Sequence, residues 1–152
     1  MASSATLVRP HEVSNRSLPT NSPRSWNSQK RTCALLSIKP PYAEAIFRGE
    51  KRFEFRRTIF RKPVNVVVVY VTSPTCLVAG EFDVTEVITD SVENLWSRTS
   101  RHAGIDRDLF FEYFDGCELG HAIAIGGVRR YKKPLDLSLK FGVRAPQSFL
   151  YI

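Results

Sequence analysis

Lys51, Glu54, Arg56 and Arg57 stand close together in the chain, and residues of these types can do two kinds of chemistry. An arginine fork binds phosphate through paired N–H groups, and a carboxylate accepts from a base amino group. A lysine and a carboxylate whose pKa values are drawn toward neutrality by burial can instead move protons. Read with a period of two, Arg52, Glu54 and Arg56 fall on one face of a strand and Phe53 and Phe55 on the other. That split predicts an apolar face toward a core and an ionised face toward water or a ligand. Glu54, flanked by two arginines at same-face spacing, is held by charge-assisted hydrogen bonds. A solvated strand face with weak surface ion pairs fits the same spacing.

These residues need elements to position them. Cys33–Ile38 reads as a short apolar strand, stopped by Lys39-Pro40-Pro41. The prolines open a helix to about Arg48, with Tyr42, Ala45 and Ile46 on one face and Glu44 and Arg48 paired opposite at i,i+4. Gly49 ends that helix and Lys51 sits in the turn before the motif strand, about Arg52 to Arg57. Asn65–Val71, almost all valine, predicts a buried central strand. Thr72–Thr75 is a turn, and Leu77–Val87 a strand bent at Gly80. Asp90 and Glu93 have capping-box spacing for a helix from Ser91 to about Thr99. Asp106 starts another to about Phe114, with Leu109, Phe110, Tyr113 and Phe114 as its apolar face. Residues 120–131 form a strand kinked at Gly126-Gly127, Pro134-Leu135 lead into a loop, and 147–151 make a last short strand. Several strands with few helices predict an α+β fold, a small β-barrel with short helices at its openings.

The chain has 152 residues, enough for one domain and one core. Its net charge of +7 is unevenly placed: residues 1–31 carry five Lys/Arg and one acid, leaving +3 for the remainder. Residues 1–32, rich in Ser, Pro, Asn and Arg, read as a disordered basic arm suited to contacting nucleic acid, and residues 33–152 as the domain. Cys33, Cys76 and Cys117 are odd in number, widely spaced and flanked by apolar residues, so each reads as a small buried hydrophobe. With His11, His102 and His121 scattered, the sequence indicates no metal site and no cofactor. No apolar run has membrane-spanning length, and a reducing, cytoplasmic setting is the expectation.

Further candidates lie along the chain. Lys39, at a strand end, is placed at a barrel mouth, where it would meet phosphate or a base carbonyl. Glu81 stands in an otherwise apolar strand, either edge-exposed or held for function. Ser73 and Ser148 lie at turn or strand ends, as ligand donors or as caps of backbone groups. Tyr42, Trp96 and Tyr113 can stack on a base or fill the core. Arg129, Arg130, Lys132 and Lys133 surround Tyr131 as solvated charge or as a phosphate track.

Gly49 to Arg56 fit the pattern Gly-x-Lys-x-x-Glu-x-Arg, which resembles the signature of the ASCH domain family. Leu36-Ser-Ile-Lys-Pro40, Thr72-Ser-Pro74, Gly80-Glu81-Phe82 and Pro146-Gln-Ser-Phe149 extend the resemblance over about residues 33–152. It implies a PUA-like pseudobarrel with a cleft where the motif strand meets the first helix. The implied ligand is RNA or nucleoside-like, and the residues read as candidates to meet it are Lys39, Lys51, Glu54, Arg56, Arg57, Ser73, Gln147 and Ser148. One branch of the family hydrolyses acetylated cytidine. It resembles this chain at Lys51, has a threonine as proposed nucleophile where this chain has Glu54, and uses a later glutamate for which Glu81 is the candidate.

The leading expectation is a module binding RNA or a modified nucleoside. The alternative is an enzyme, an amidohydrolase or ribonuclease, with Lys51, Glu54 and Glu81 catalytic. A third is a regulatory domain that binds protein. No helix-turn-helix segment supports reading DNA.

Overall fold

The computed structural model describes residues 31–152. Of the arm expected over 1–32, all but Arg31 and Thr32 lies outside the described residues. Thr32 is tied to the domain, its N–H donating to Asn65 Oδ1 and its carbonyl accepting from the Asn65 N–H at 2.9 Å.

Strand β1 (Cys33–Ile38) runs parallel to β3 (Val66–Val71) in continuous register from Cys33 opposite Val66 to Ile38 opposite Val71. Val66 to Val69 are all buried, as the unbroken valine run requires of a strand covered on both faces. Between them α1 (Pro40–Phe47) begins on its prolines and buries Ala43, Ala45 and Ile46. It ends at Gly49, whose φ of +77° suits glycine. The Glu50 and Lys51 N–H groups both fold back onto the Ala45 carbonyl at 3.0 Å. Glu44 and Arg48 do not pair with each other. Glu44 accepts from Arg130 at 2.6 Å and Arg48 donates to Glu50 at 3.1 Å, because the β-ribbon passing α1 offers Glu44 a fork.

Strand β2 (Phe53–Arg56) pairs antiparallel with β5 (Leu119–Leu135), which in turn pairs with β4 (Leu77–Ser91). The sheet order is β2-β5-β4-β3-β1-β6, with β6 (Phe149–Tyr151) antiparallel to β1. The register slips between Val78 and Gly80, and again where Phe82 faces Val128 but Val84 faces Ile125, leaving Gly126-Gly127 as the kink. The result is a curled, six-stranded mixed sheet, a half-barrel with short helices against it. Strand β5 continues through Pro134 and Leu135, where the sequence predicts a loop, because Val78 holds Leu135 in the ladder.

Helix α2 (Val92–Thr99) is capped by Ser91, whose hydroxyl accepts from the Asn94 N–H. Asp90 instead accepts from the Ser91 N–H and pairs with Arg98, so the cap falls one residue after the predicted one. Helix α3 (Arg107–Tyr113) follows Asp106. Helix α4 (Leu137–Phe141), absent from the sequence reading, starts on Asp136, which accepts from the Leu139 N–H at 2.9 Å. One core lies between α1 and the sheet, around Leu36, Ile46, Val67, Phe82 and Ile123. A second joins β2 to α2 and α3, with Phe55 edge-on to Phe110 at 4.9 Å and Leu95 and Phe114 alongside. The cysteines are not core residues: Cys33, at the start of β1, and Cys117, in the loop before β5, are half-buried, and Cys76, in the turn before β4, is exposed. No helix among the described residues is long and apolar enough to cross a membrane.

Candidate functional site

The open side of the half-barrel forms a cleft of about 710 Å³ between β2, the start of α1, α3 and the segment before β6. Strand β2 is buried on both faces. Phe55 enters the second core and Phe53 packs beside it, while Glu54 and Arg56, 7% and 8% exposed, turn to the cleft. Arg52 is exposed and stands apart.

Lys51 is 2% exposed. Its Nζ donates to the Ala103 carbonyl at 2.7 Å, stands 3.9 Å from Glu54 Oε2, and lies 4.8 and 5.3 Å from the ring centres of Phe55 and Tyr42. Burial lowers the Lys51 pKa below the usual 10.5. The Glu54 carboxylate opposes that shift and the Arg56 guanidinium adds to it. The loop over Lys51 depends on Gly104. Its φ is +63°, and a Cβ there would run into the Lys51 side chain, so glycine is needed for both backbone and space.

Arg56 occupies a structural position. Its Nη2 donates to Glu54 Oε1 and to the Ser37 carbonyl, both at 3.0 Å, and its Nη1 to the Ser148 carbonyl at 3.4 Å. Ser37 lies on β1 and Ser148 just before β6, so Arg56 links the β2 edge of the sheet to the far side. Its Nε is buried without a partner. The Ser37 hydroxyl donates to the Pro146 carbonyl at 2.6 Å and holds the 146–148 segment against the same wall.

The cleft therefore brings together Lys39, Lys51, Glu54, Arg56, Arg57, Gln147 and Ser148. Lys39 and Arg57 are exposed at its rim, and the Arg57 Nε donates to Cys117 Sγ at 3.3 Å. Tyr42 and Tyr113 also line it. Burial raises the Tyr42 pKa first, with Glu54 and Asp106 adding to the rise, so its hydroxyl stays a donor. Leu109 and Tyr113, expected on the buried face of α3, are 46% and 39% exposed and form the cleft wall. Apolar periodicity alone does not distinguish a core from a ligand site.

Three candidates fall outside the cleft lining. Glu81 accepts from Arg129 Nε and the Tyr131 hydroxyl, both at 2.7 Å. These bonds hold its pKa below the usual carboxylate value, the tyrosine contributing most. Ser73 is exposed in the β3–β4 turn. Trp96 packs on Phe110 and Phe111. The basic run on β5 is partly engaged: Arg129 bonds Glu81 and Asp83, and Arg130 bonds Glu44. The sequence reading missed Ala103, Gly104, Ile105 and Glu112, which a loop and a helix some fifty residues after the motif bring to the cleft. The one signal available was Gly104 beside a cap.

A curled, six-stranded mixed sheet with short helices and an ion-lined cleft at the motif strand is the fold shared with ASCH domains. The chain belongs to the ASCH domain family, whose model matches residues 36–136. It is 34% identical over 119 residues to a protein named ATP synthase subunit alpha from Ureaplasma parvum, matching 78% of this chain but spanning only 15% of that one. It is 30% identical over 124 residues to an ASCH domain-containing ribonuclease from Zymomonas mobilis, matching 78% of this chain and 83% of that protein. A crystal structure of a tyrosine-to-phenylalanine variant of ZmASCH from Zymomonas mobilis superposes with a TM-score of 0.74 at 28% identity, over 80% of this chain and 91% of the other.

Proposed function

We propose that the cleft binds single-stranded RNA and takes one nucleotide into the pocket. The observation that carries this reading is the joint lining of one concavity by a buried Lys51–Glu54 pair, rim cations Lys39 and Arg57, and the rings of Tyr42 and Tyr113. An unstacked base finds aromatic faces in such a site, and the backbone phosphates find cations at its mouth. Glu54 accepts from a base amino group or from the ribose. Arg56, engaged by Glu54 and two carbonyls, positions Glu54 rather than gripping phosphate with a free fork.

A second reading is favoured by the lowered pKa of Lys51 and by the ribonuclease named among the relatives. In it the site cleaves the RNA it binds. The ribose 2′-oxygen attacks the adjacent phosphorus, the bond from phosphorus to the 5′-oxygen breaks, and a cyclic phosphate and a 5′-hydroxyl result. In its deprotonated form, which burial favours, the Lys51 amine takes the 2′-proton, and solvent water supplies the proton to the departing oxygen. Glu54 and the Ala103 carbonyl then stabilise the ammonium. The amidohydrolase alternative loses support because Glu81 bonds Arg129 and Tyr131 outside the cleft lining.

The test is to incubate the chain with end-labelled single-stranded RNA and with acetylated cytidine, following both binding and products. Binding of RNA that Glu54→Gln weakens by ~1–3 kcal/mol, the size of a charge-assisted hydrogen bond, is the expected result. Turnover of RNA that falls about a hundredfold or more in Lys51→Met with binding retained establishes the second reading. RNA binding indifferent to both substitutions overturns the cleft as the site.

A further inference from the structure

The cleft does not end at Tyr42. Lys39, Tyr42, Ile105 and Leu109 wall the main pocket on one side and a second open concavity of about 570 Å³ on the other, which reaches Pro41 and Asp106. The shared wall thus carries one cation and one aromatic ring, with space on both sides. Each space has carboxylates in its lining: Glu54 and Glu112 in the first, Asp106 alone in the second. Asp106 precedes α3 in extended backbone and its side chain makes no capping hydrogen bond. The first turn is held instead through its backbone, the Phe110 N–H donating to the Asp106 carbonyl at 2.9 Å. The Tyr42 hydroxyl feels both acids, each raising its pKa after the larger effect of burial.

A nucleic-acid strand repeats base, phosphate, base, and the wall repeats cavity, lysine, cavity. Resting on the RNA reading above, we propose that the two concavities hold two consecutive nucleotides, the linking phosphate at Lys39, and that Asp106 selects guanine in the second. A carboxylate only accepts hydrogen bonds. On the Watson–Crick edge guanine alone offers two adjacent donors, the N1–H and the N2 amino group, which match its two oxygens. Adenine and cytosine offer one amino group each. Uracil sets its single N3–H between two carbonyls that repel the carboxylate. Single-stranded RNA leaves that edge free to be read.

The experiment is competition against a fluorescent single-stranded RNA bound to the full chain. The competitors are guanosine monophosphate and dinucleotides with guanine, inosine or uracil at either position. Dinucleotides should compete at least about tenfold better than the mononucleotide, in keeping with a second occupied subsite. Inosine keeps the N1–H but lacks the N2 amino group, and at one of the two positions it should cost about tenfold, the discrimination of a bidentate contact. Asp106→Asn should fold as wild type by thermal melting and lose the preference for guanine over inosine at the second position, while Glu54→Gln weakens binding and leaves that second-position preference in place. A mononucleotide as good as any dinucleotide, or a guanine preference that survives Asp106→Asn, overturns the proposal while leaving RNA binding at the cleft intact. Absence of RNA binding in every variant and in wild type overturns both readings together.

Discussion

Lys51 sits in surroundings that oppose its charge, since burial outweighs the pull of Glu54 at 3.9 Å. Its folded pKa lies below 10.5, so between the two values the unfolded chain binds more protons than the folded one. Stability therefore rises with pH across that window. The cost of holding a buried ammonium applies in full below the folded value and disappears as pH approaches 10.5. Lys51→Met removes the titration, so melting temperatures of wild type minus variant should climb as pH rises toward 10.5. Parallel curves would mean that Lys51 titrates normally. Arg56 and Arg57, adjacent in sequence, should separate cleanly. Arg56→Met strands Glu54 and the Ser37 and Ser148 carbonyls in a buried wall and should cost ~3–5 kcal/mol, as losing one partner of a buried pair does. Arg57→Met removes an exposed rim cation and should change stability by less than about 0.5 kcal/mol, while weakening RNA. Urea denaturation of the two variants distinguishes them.

The loop between α2 and α3 decides whether the motif strand becomes a site. Gly104→Ala puts a side chain where Lys51 already is and strains a left-handed backbone. It should cost ~1–3 kcal/mol and lift the Ala103 carbonyl off the amine. Amine-reactive labelling followed by mass spectrometry should find Lys51 protected in wild type, where its side chain is 3% exposed, and modified in the variant. On the ribbon, Tyr131→Phe removes a 2.7 Å hydrogen bond to Glu81. It should cost about 1 kcal/mol at neutral pH. Because Glu81 titrates below 4.5 when folded, that cost is present above 4.5 and fades as pH falls through the folded value. The strands and α1 were legible because each carries a strong local signal: alternation in Phe53–Arg56, a valine run, a Pro start and a Gly stop. Helix α4 was not, since five residues complete too few turns to show a period. The period of two told which face Glu54 and Arg56 share. It did not tell that Ser148, 92 residues from Arg56, would close over that face, because such enclosure comes from the order of strands in the sheet.

At the scale of the molecule, charge is divided between a domain in which about half of the described arginines pair with carboxylates and an N-terminal stretch whose sequence is rich in basic residues. Arg48, Arg56, Arg98, Arg129 and Arg130 all pair with carboxylates, which leaves Lys39 and Arg57 as the cations of the cleft rim. Residues 1–30 contribute Arg9, Arg16, Arg24 and Lys30 against Glu12. We therefore propose a division of labour, with the cleft choosing the nucleotide and the N-terminal stretch adding affinity through phosphates. Such affinity depends on counterion release, each phosphate contact contributing about 0.7 to the slope of log affinity against log salt on a single strand. Deleting residues 1–30 keeps the Thr32–Asn65 bonds that anchor β1 and β3, so the domain should melt as wild type. RNA titrated at several salt concentrations should then show a smaller slope and weaker binding at low salt. The ranking of guanine, inosine and uracil competitors should stay as it was. A Lys39→Met, Arg57→Met double variant of the full chain should lower the slope by about 1.4, two contacts' worth. An unchanged slope after deletion would show that the basic stretch does not touch the RNA backbone, and a changed ranking would show that it reads bases.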